Sequence, residues 1–140
     1  MSGCLFCQIA RGERSAHIIY QGDGAVAFLD IYPCTPGHTL VIPRAHYATL
    51  SEMPPEEAGR LFQAAAVVAA KVQATLGADG FNLGVNSGKA AGQEVFHVHV
   101  HIIPRYANDG GGSMKSVAHF KGKDTLEQIA ATLRPAFSSP

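Results

Sequence analysis

Between Phe96 and Pro104 the chain alternates apolar and imidazole side chains: Phe96-His97-Val98-His99-Val100-His101-Ile102-Ile103-Pro104. A period of two is that of a β-strand, whose successive side chains point to opposite faces. The pattern predicts a strand over Glu94 to Ile103. Phe96, Val98, Val100 and Ile102 would line a core face. His97, His99 and His101 would line the other, neighbouring imidazoles about 7 Å apart. Shorter apolar runs predict strands at Ile18-Ile19-Tyr20, Ala25 to Asp30, His38 to Ile42 and Phe81 to Asn86. Gly22-Asp23-Gly24 is a turn, so the first two read as a hairpin, and Pro43 ends the third. A different period governs the middle of the chain. Leu61, Ala65, Val68, Val72 and Leu76 recur at spacings of three and four, the stripe of a long helix. Pro54 and Pro55 suit its first turn, Glu56 and Glu57 suit the positive end of its macrodipole, and Gly77 stops it. Cys4 to Ala10 predicts a short helix stopped by Gly12. Asp124 to Arg134 predicts another, with Leu126, Ile129, Ala130 and Leu133 on one side. Ser87 to Gln93 is a Gly/Ala loop, Asn108 to Ser113 a flexible break, and the tail ending Ser138-Ser139-Pro140 is expected to fray. Hairpin-joined strands plus one long helix argue for an α+β domain with an antiparallel sheet. Residues 1–140 read as one domain without internal repeats.

Composition narrows the class. The chain is 46% hydrophobic and 16% charged over 140 residues, enough to build a single core. Eleven basic and eleven acidic residues cancel, which leaves no electrostatic footprint for nucleic acid or for an anionic membrane surface. A small anion remains possible, because backbone N–H groups can hold a phosphate without net charge. The N-terminus lacks a charged n-region with an apolar run, and no stretch reaches transmembrane length. The cysteines Cys4, Cys7 and Cys34 are odd in number, so a disulfide framework is not expected and a cytoplasmic, reducing setting is.

Three features carry chemistry. Three imidazoles in a row are poor choices for a plain solvent face. They point to metal ligation, proton transfer or nucleophilic attack. Two glycines in Ser87-Gly88-Lys89-Ala90-Ala91-Gly92-Gln93 let backbone approach an anion just before these histidines. Leu5, Phe6, Ile9, Phe28 and Ile31 form an apolar set around Asp30. It reads either as a satellite core or as a base slot, with the carboxylate accepting from ribose hydroxyls. Cys4 and Cys7 have the Cys-x-x-Cys spacing of zinc sites, with any further ligands being distant histidines; a redox pair and plain thiols are the alternatives.

His97-Val98-His99-Val100-His101-Ile102-Ile103-Pro104 is a His-φ-His-φ-His-φ-φ pattern, φ being apolar. With Gly92-Gln93-Glu94-Val95-Phe96 before it and Pro36-Gly37-His38-Thr39-Leu40-Val41-Ile42-Pro43-Arg44-Ala45-His46 upstream, the chain resembles the histidine-triad (HIT) family of nucleotide hydrolases and transferases, above all its small bacterial-type zinc-binding members. The resemblance implies a HIT-like fold of about five strands, one long helix and short terminal helices, with a core from about 4 to 105 and a C-terminal extension over 106–140. It implies cleavage of a phosphoramidate or phosphoanhydride bond at the α-phosphate of a purine nucleotide (AMP or GMP type), as in nucleoside phosphoramidases and dinucleoside polyphosphate hydrolases. His99 would be the nucleophile that forms a nucleotidyl-histidine, flanked by His101 and His38. Asn86, Gly92, Gln93, Glu94 and Val95 would meet the phosphate. Asp30 would hold the ribose, and Phe6, Ile9, Phe28 and Ile31 the base. Structural zinc would sit on Cys4, Cys7, His46 and His97. A homodimer joined through the long helix and fourth strand is implied. Glu94 departs from members that carry Ser or Thr there. Two other readings compete: a metal-activated hydrolase with an open zinc on the histidine strand, and a non-catalytic nucleotide-binding adaptor.

Overall fold

The computed structural model describes residues 3–138. Its main elements are α1 (Leu5–Ala10), β1 (Ile18–Gln21), β2 (Ala25–Leu29), β3 (Thr39–Pro43), α2 (Pro55–Leu76), β4 (Gly80–Gly84), β5 (Val100–Arg105) and α3 (Leu126–Leu133), with short 3-10 turns between. The strands form one sheet in the order β1-β2-β3-β5-β4, every pair antiparallel. The α+β architecture expected from the sequence is therefore the one observed.

The sheet is covered on both faces. On one, Leu61, Ala65, Val68 and Ala69 of α2 pack against Ala27, Val41, Val100 and Ile102. On the other, Phe6, Ile9 and Ala10 of α1 pack against Val26, Phe28, Leu40 and Ile42. This explains why all five β3 residues are buried: a strand covered on both sides reads as a continuous apolar run. Each such Val, Leu or Ile contributes about 1.5–3 kcal/mol by leaving water. The stripe of α2 holds at Leu61, Ala65 and Val68, then weakens to half-buried Val72 and exposed Leu76. Gly77 caps it in the left-handed region at φ 67°.

The histidine strand is shorter than its alternation predicts. Ladder pairing starts only at Val100, opposite Val41, and residues 94–99 are irregular. The Val98 N–H bonds to Tyr47 O at 2.8 Å, off the sheet. Alternation still places Val98, Val100 and Ile102 in the core under α2. Phe96, expected beside them, is 46% exposed, because the chain has already left the pleat that would turn it inward. Nor do the imidazoles line an open face. His97 and His99 are buried beneath Phe6 of α1. The fourth strand stops at Gly84 rather than Asn86, and the third begins at Thr39 rather than His38. The helix expected over Asp124 to Arg134 forms at Leu126–Leu133, yet Leu126 and Leu133 stay exposed. Past Ser138, the fraying expected of the tail falls outside the described residues. No helix among the described residues is long and apolar enough to cross a membrane.

Candidate functional site

The site gathers where β3 and β5 meet the loop between β4 and β5. Gln93 locks that loop. Its side chain is buried; Oε1 accepts from the Gly88 N–H at 2.8 Å, and Nε2 donates to Ala48 O at 2.6 Å and Val95 O at 3.1 Å. The amide expected on a phosphate is thus engaged with backbone, which makes Gln93 the pin of the loop. Gly88 (φ 93°) and Gly92 (φ 88°) bracket the 3-10 turn Lys89–Ala91 in conformations that favour glycine.

Hydrogen bonds to carbonyls assign the tautomers. A carbonyl only accepts, so His99 Nδ1, 2.8 Å from His97 O, carries a hydrogen, and in the neutral ring Nε2 keeps the lone pair. The Cys34 N–H donates to His38 Nδ1 at 3.2 Å, so the neutral His38 ring carries its hydrogen on Nε2. That hydrogen points to His101 Nδ1 at 2.9 Å, with Asp30 Oδ2 3.5 Å from the same Nε2. His101 is then left with its hydrogen on Nε2, a buried atom with no partner among the described residues. Burial pushes the His101 pKa down to about 4, helped by the neighbouring His99 and His38 and opposed by Asp30. Burial also lowers that of His38, again opposed by Asp30. Both rings are therefore neutral near pH 7, and a polarised N–H–N relay ends in an unsatisfied donor beside His99.

These groups open onto a cleft of about 620 Å³. Phe6, Ile9 and Phe28 form its apolar wall, with Phe6 and Phe28 edge to face at 5.4 Å between centroids. Asp30 and exposed Ile31 stand at the rim, and Asn86, Gly92, Glu94 and Val95 also line it. The Asp30 carboxylate accepts from the Tyr32 N–H at 2.8 Å, which fixes one oxygen. His38 and Gln93 do not line the cleft; they act on residues that do. Sequence reading missed Arg14, which sits in a polar turn without any distinguishing pattern yet lines the cleft, and Cys34, whose N–H sets the His38 tautomer.

Behind His99, His101 and His38 lies a second cluster. Cys4, Cys7, His46 and His97 bring one ligand atom each within 4.8 Å of one another. Cys4 Sγ and Cys7 Sγ are each 3.5 Å from His97 Nδ1; Cys7 Sγ is 3.3 Å and His97 Nδ1 3.2 Å from His46 Nδ1. Tetrahedral zinc with bonds of about 2.3 Å to sulfur and 2.0–2.1 Å to nitrogen needs edges of about 3.5 Å for S···N and 3.3 Å for N···N. His97 Nε2 donates to Pro43 O at 2.9 Å, so its Nδ1 is a bare lone pair facing the sulfurs. Burial holds the His97 pKa down to about 4 and raises that of Cys7. A fully buried imidazole whose lone pair converges with two sulfurs and a second ring nitrogen fits a cation. Asp30, His38 and His101 also cluster, but their atoms are joined by the proton relay; a metal on His38 Nε2 would move its hydrogen to Nδ1, against the Cys34 N–H.

Comparison with known proteins gives a consistent picture. A family model described as HIT domain matches residues 11–108. The HIT-like protein MJ0866 of Methanocaldococcus jannaschii is 47% identical over 107 residues, covering 76% of this chain and 82% of its own. The adenylylsulfatase HINT3 of Arabidopsis thaliana is 42% identical over 106 residues, 76% of this chain and 54% of that one. Among solved structures, SMU.412c from Streptococcus mutans UA159 superposes with a TM-score of 0.86 at 36% identity, covering 99% and 87% of the two chains. A Zn-bound histidine triad family protein from Mycobacterium smegmatis superposes at 0.74 with 35% identity, covering 96% and 98%.

Proposed function

The chain belongs to the HIT family, and we propose that it cleaves a phosphoramidate or phosphoanhydride bond at the α-phosphate of a purine nucleotide, with His99 as nucleophile. Membership makes a nucleotide-binding hydrolase or transferase the general reading. The observation that carries the specific one is the His99 ring, held by the His97 carbonyl so that bare Nε2 faces a cleft with an apolar wall and a carboxylate at its rim. In the first step the Nε2 lone pair forms a bond to phosphorus. The bond to the leaving group breaks, and its electron pair departs with that group, which takes up a proton. The His101 N–H, polarised by the hydrogen bond its Nδ1 accepts from His38, is placed to hydrogen-bond the phosphate or the leaving group, whose proton comes from water in the cleft. Positive charge developing on His99 is met at Nδ1–H by the His97 carbonyl. Water then attacks phosphorus, the P–N bond breaks, and its pair returns to the ring, releasing nucleoside monophosphate and restoring the proton. Phe6, Ile9, Phe28 and Ile31 would bed the base and Asp30 the ribose; Asn86 and the amides of Gly92, Glu94 and Val95 would meet the phosphate.

Zinc on Cys4, Cys7, His46 and His97 would be structural. It supplies a cross-link that ties α1 to the sheet, with four protein donors and no open position for substrate. This argues against a metal-activated water on the histidine strand. A reducing, cytoplasmic setting suits thiolate ligands. A homodimer through α2 and the edge strand β4 would cover exposed Leu76 and Phe81. The test is turnover of a fluorogenic adenosine phosphoramidate by wild type and His99→Ala. Activity should fall by at least about 10³-fold while bound zinc is retained. A P-chiral substrate should be released with retained configuration, since two inversions cancel. Equal rates would favour a binding protein, and loss of the metal with His99 would favour a metalloenzyme.

A further inference from the structure

Glu94 lines the cleft onto which His99 opens, and among the described residues no hydrogen bond or ion pair engages its carboxylate. Its backbone is held on both sides. Gln93 is pinned by three hydrogen bonds, and Val95 packs against the apolar cluster under α1. Among the described residues, the other charged side chains on the cleft wall are Arg14 and Asp30. Asp30 is already occupied by the Tyr32 N–H and faces His38. With His38 and His101 neutral, the cleft presents two carboxylates against one guanidinium to a ligand that brings a phosphate of its own. A polyphosphate leaving group would add charge of the same sign in that space. An ammonium on the leaving group would remove the imbalance.

We propose that Glu94 determines specificity by selecting leaving groups that carry an ammonium near the scissile bond and disfavouring those that carry further negative charge. The inference rests on the reading of the preceding subsection and names its substrate class: a nucleoside monophosphate joined through a P–N bond to an amine that bears a second, ionised amine. Glu94 acts on charge alone and takes no part in the bond changes at phosphorus. Two unit charges a few ångströms apart at an open cleft, where the effective dielectric lies between protein and water, change the relative rate by roughly tenfold.

Two adenosine 5′-phosphoramidates of similar length test this, one made with 1,3-diaminopropane and one with β-alanine, so that the free ends carry opposite charge. The readout is the ratio of their kcat/KM values, which is internal to each variant and insensitive to a misfolded fraction. Wild type should favour the diamine by about tenfold. Glu94→Gln should bring the ratio to within about twofold, Glu94→Asp should keep its sign, and added KCl should compress it in wild type. A wild-type ratio near one, or one that survives Glu94→Gln, overturns the inference while the proposed reaction stands. If wild type cleaves neither compound, the proposed reaction itself falls and this inference with it.

Discussion

At the scale of single residues, the site works by assigning hydrogens. Two backbone carbonyls and one backbone N–H decide which nitrogen of His97, His99 and His38 is bare. The two rings on the relay, His38 buried and His101 partly so, stay neutral because burial disfavours their charged form. For His101 this has a thermodynamic consequence. Its native pKa of about 4 lies below the ordinary histidine value, so between roughly pH 6.5 and pH 4 the unfolded chain binds a proton that the native state refuses. Stability is fully present above that window and falls as pH drops through it, by up to about 3 kcal/mol for this group. Denaturant midpoints from pH 7 to pH 5 should therefore fall less steeply in His101→Gln than in wild type. Identical slopes would show that the ring is solvated. None of the tautomers was legible in the sequence, because each depends on a partner distant in the chain or on loop geometry.

Elements place these residues by how far each ladder runs. The alternation in Phe96–Pro104 is one pattern, but it covers two structures: an irregular approach through His97 and His99, then β5. Burial of both sheet faces turns His97 and His99 toward α1, and puts the Cys/His cluster and the proposed nucleophile on one stretch of chain. The turn before β3 is as constrained. Gly37 has φ 89°, and a Cβ there would meet Leu76 Cδ1 and Pro104 Cγ. Gly37→Ala therefore combines left-handed strain with a collision between the end of α2 and β5. It should cost about 1–3 kcal/mol and move His38, whose N–H bonds to Thr35 O within the same turn. The expected readouts are a lower urea midpoint together with reduced kcat. Wild-type values for both would mean the turn relaxes freely.

Over the whole molecule, α1 is a short helix tied to the sheet by packing and, with metal bound, by four ligands from three segments. Because the His97 carbonyl also orients His99, the Cys/His cluster and the proposed nucleophile share a backbone. Cys4→Ser should lower the melting temperature by more than about 5 °C and abolish stoichiometric zinc, while the rate of the proposed reaction in the folded protein at low temperature drops by less than about tenfold. An unchanged melting temperature in metal-stripped wild type would remove zinc from the account of stability. Sequence alone determined the element order, the long α2 with its apolar stripe and the residue types able to carry the chemistry. Those follow from periodicity and side-chain chemistry, which are local. Tertiary structure alone decided that Gln93 locks a loop instead of facing the cleft, that Phe96 leaves the core, that Arg14 joins the wall and that Cys34 sets the tautomer of His38. Each of these is fixed by contacts between segments far apart in the chain, which no local period encodes.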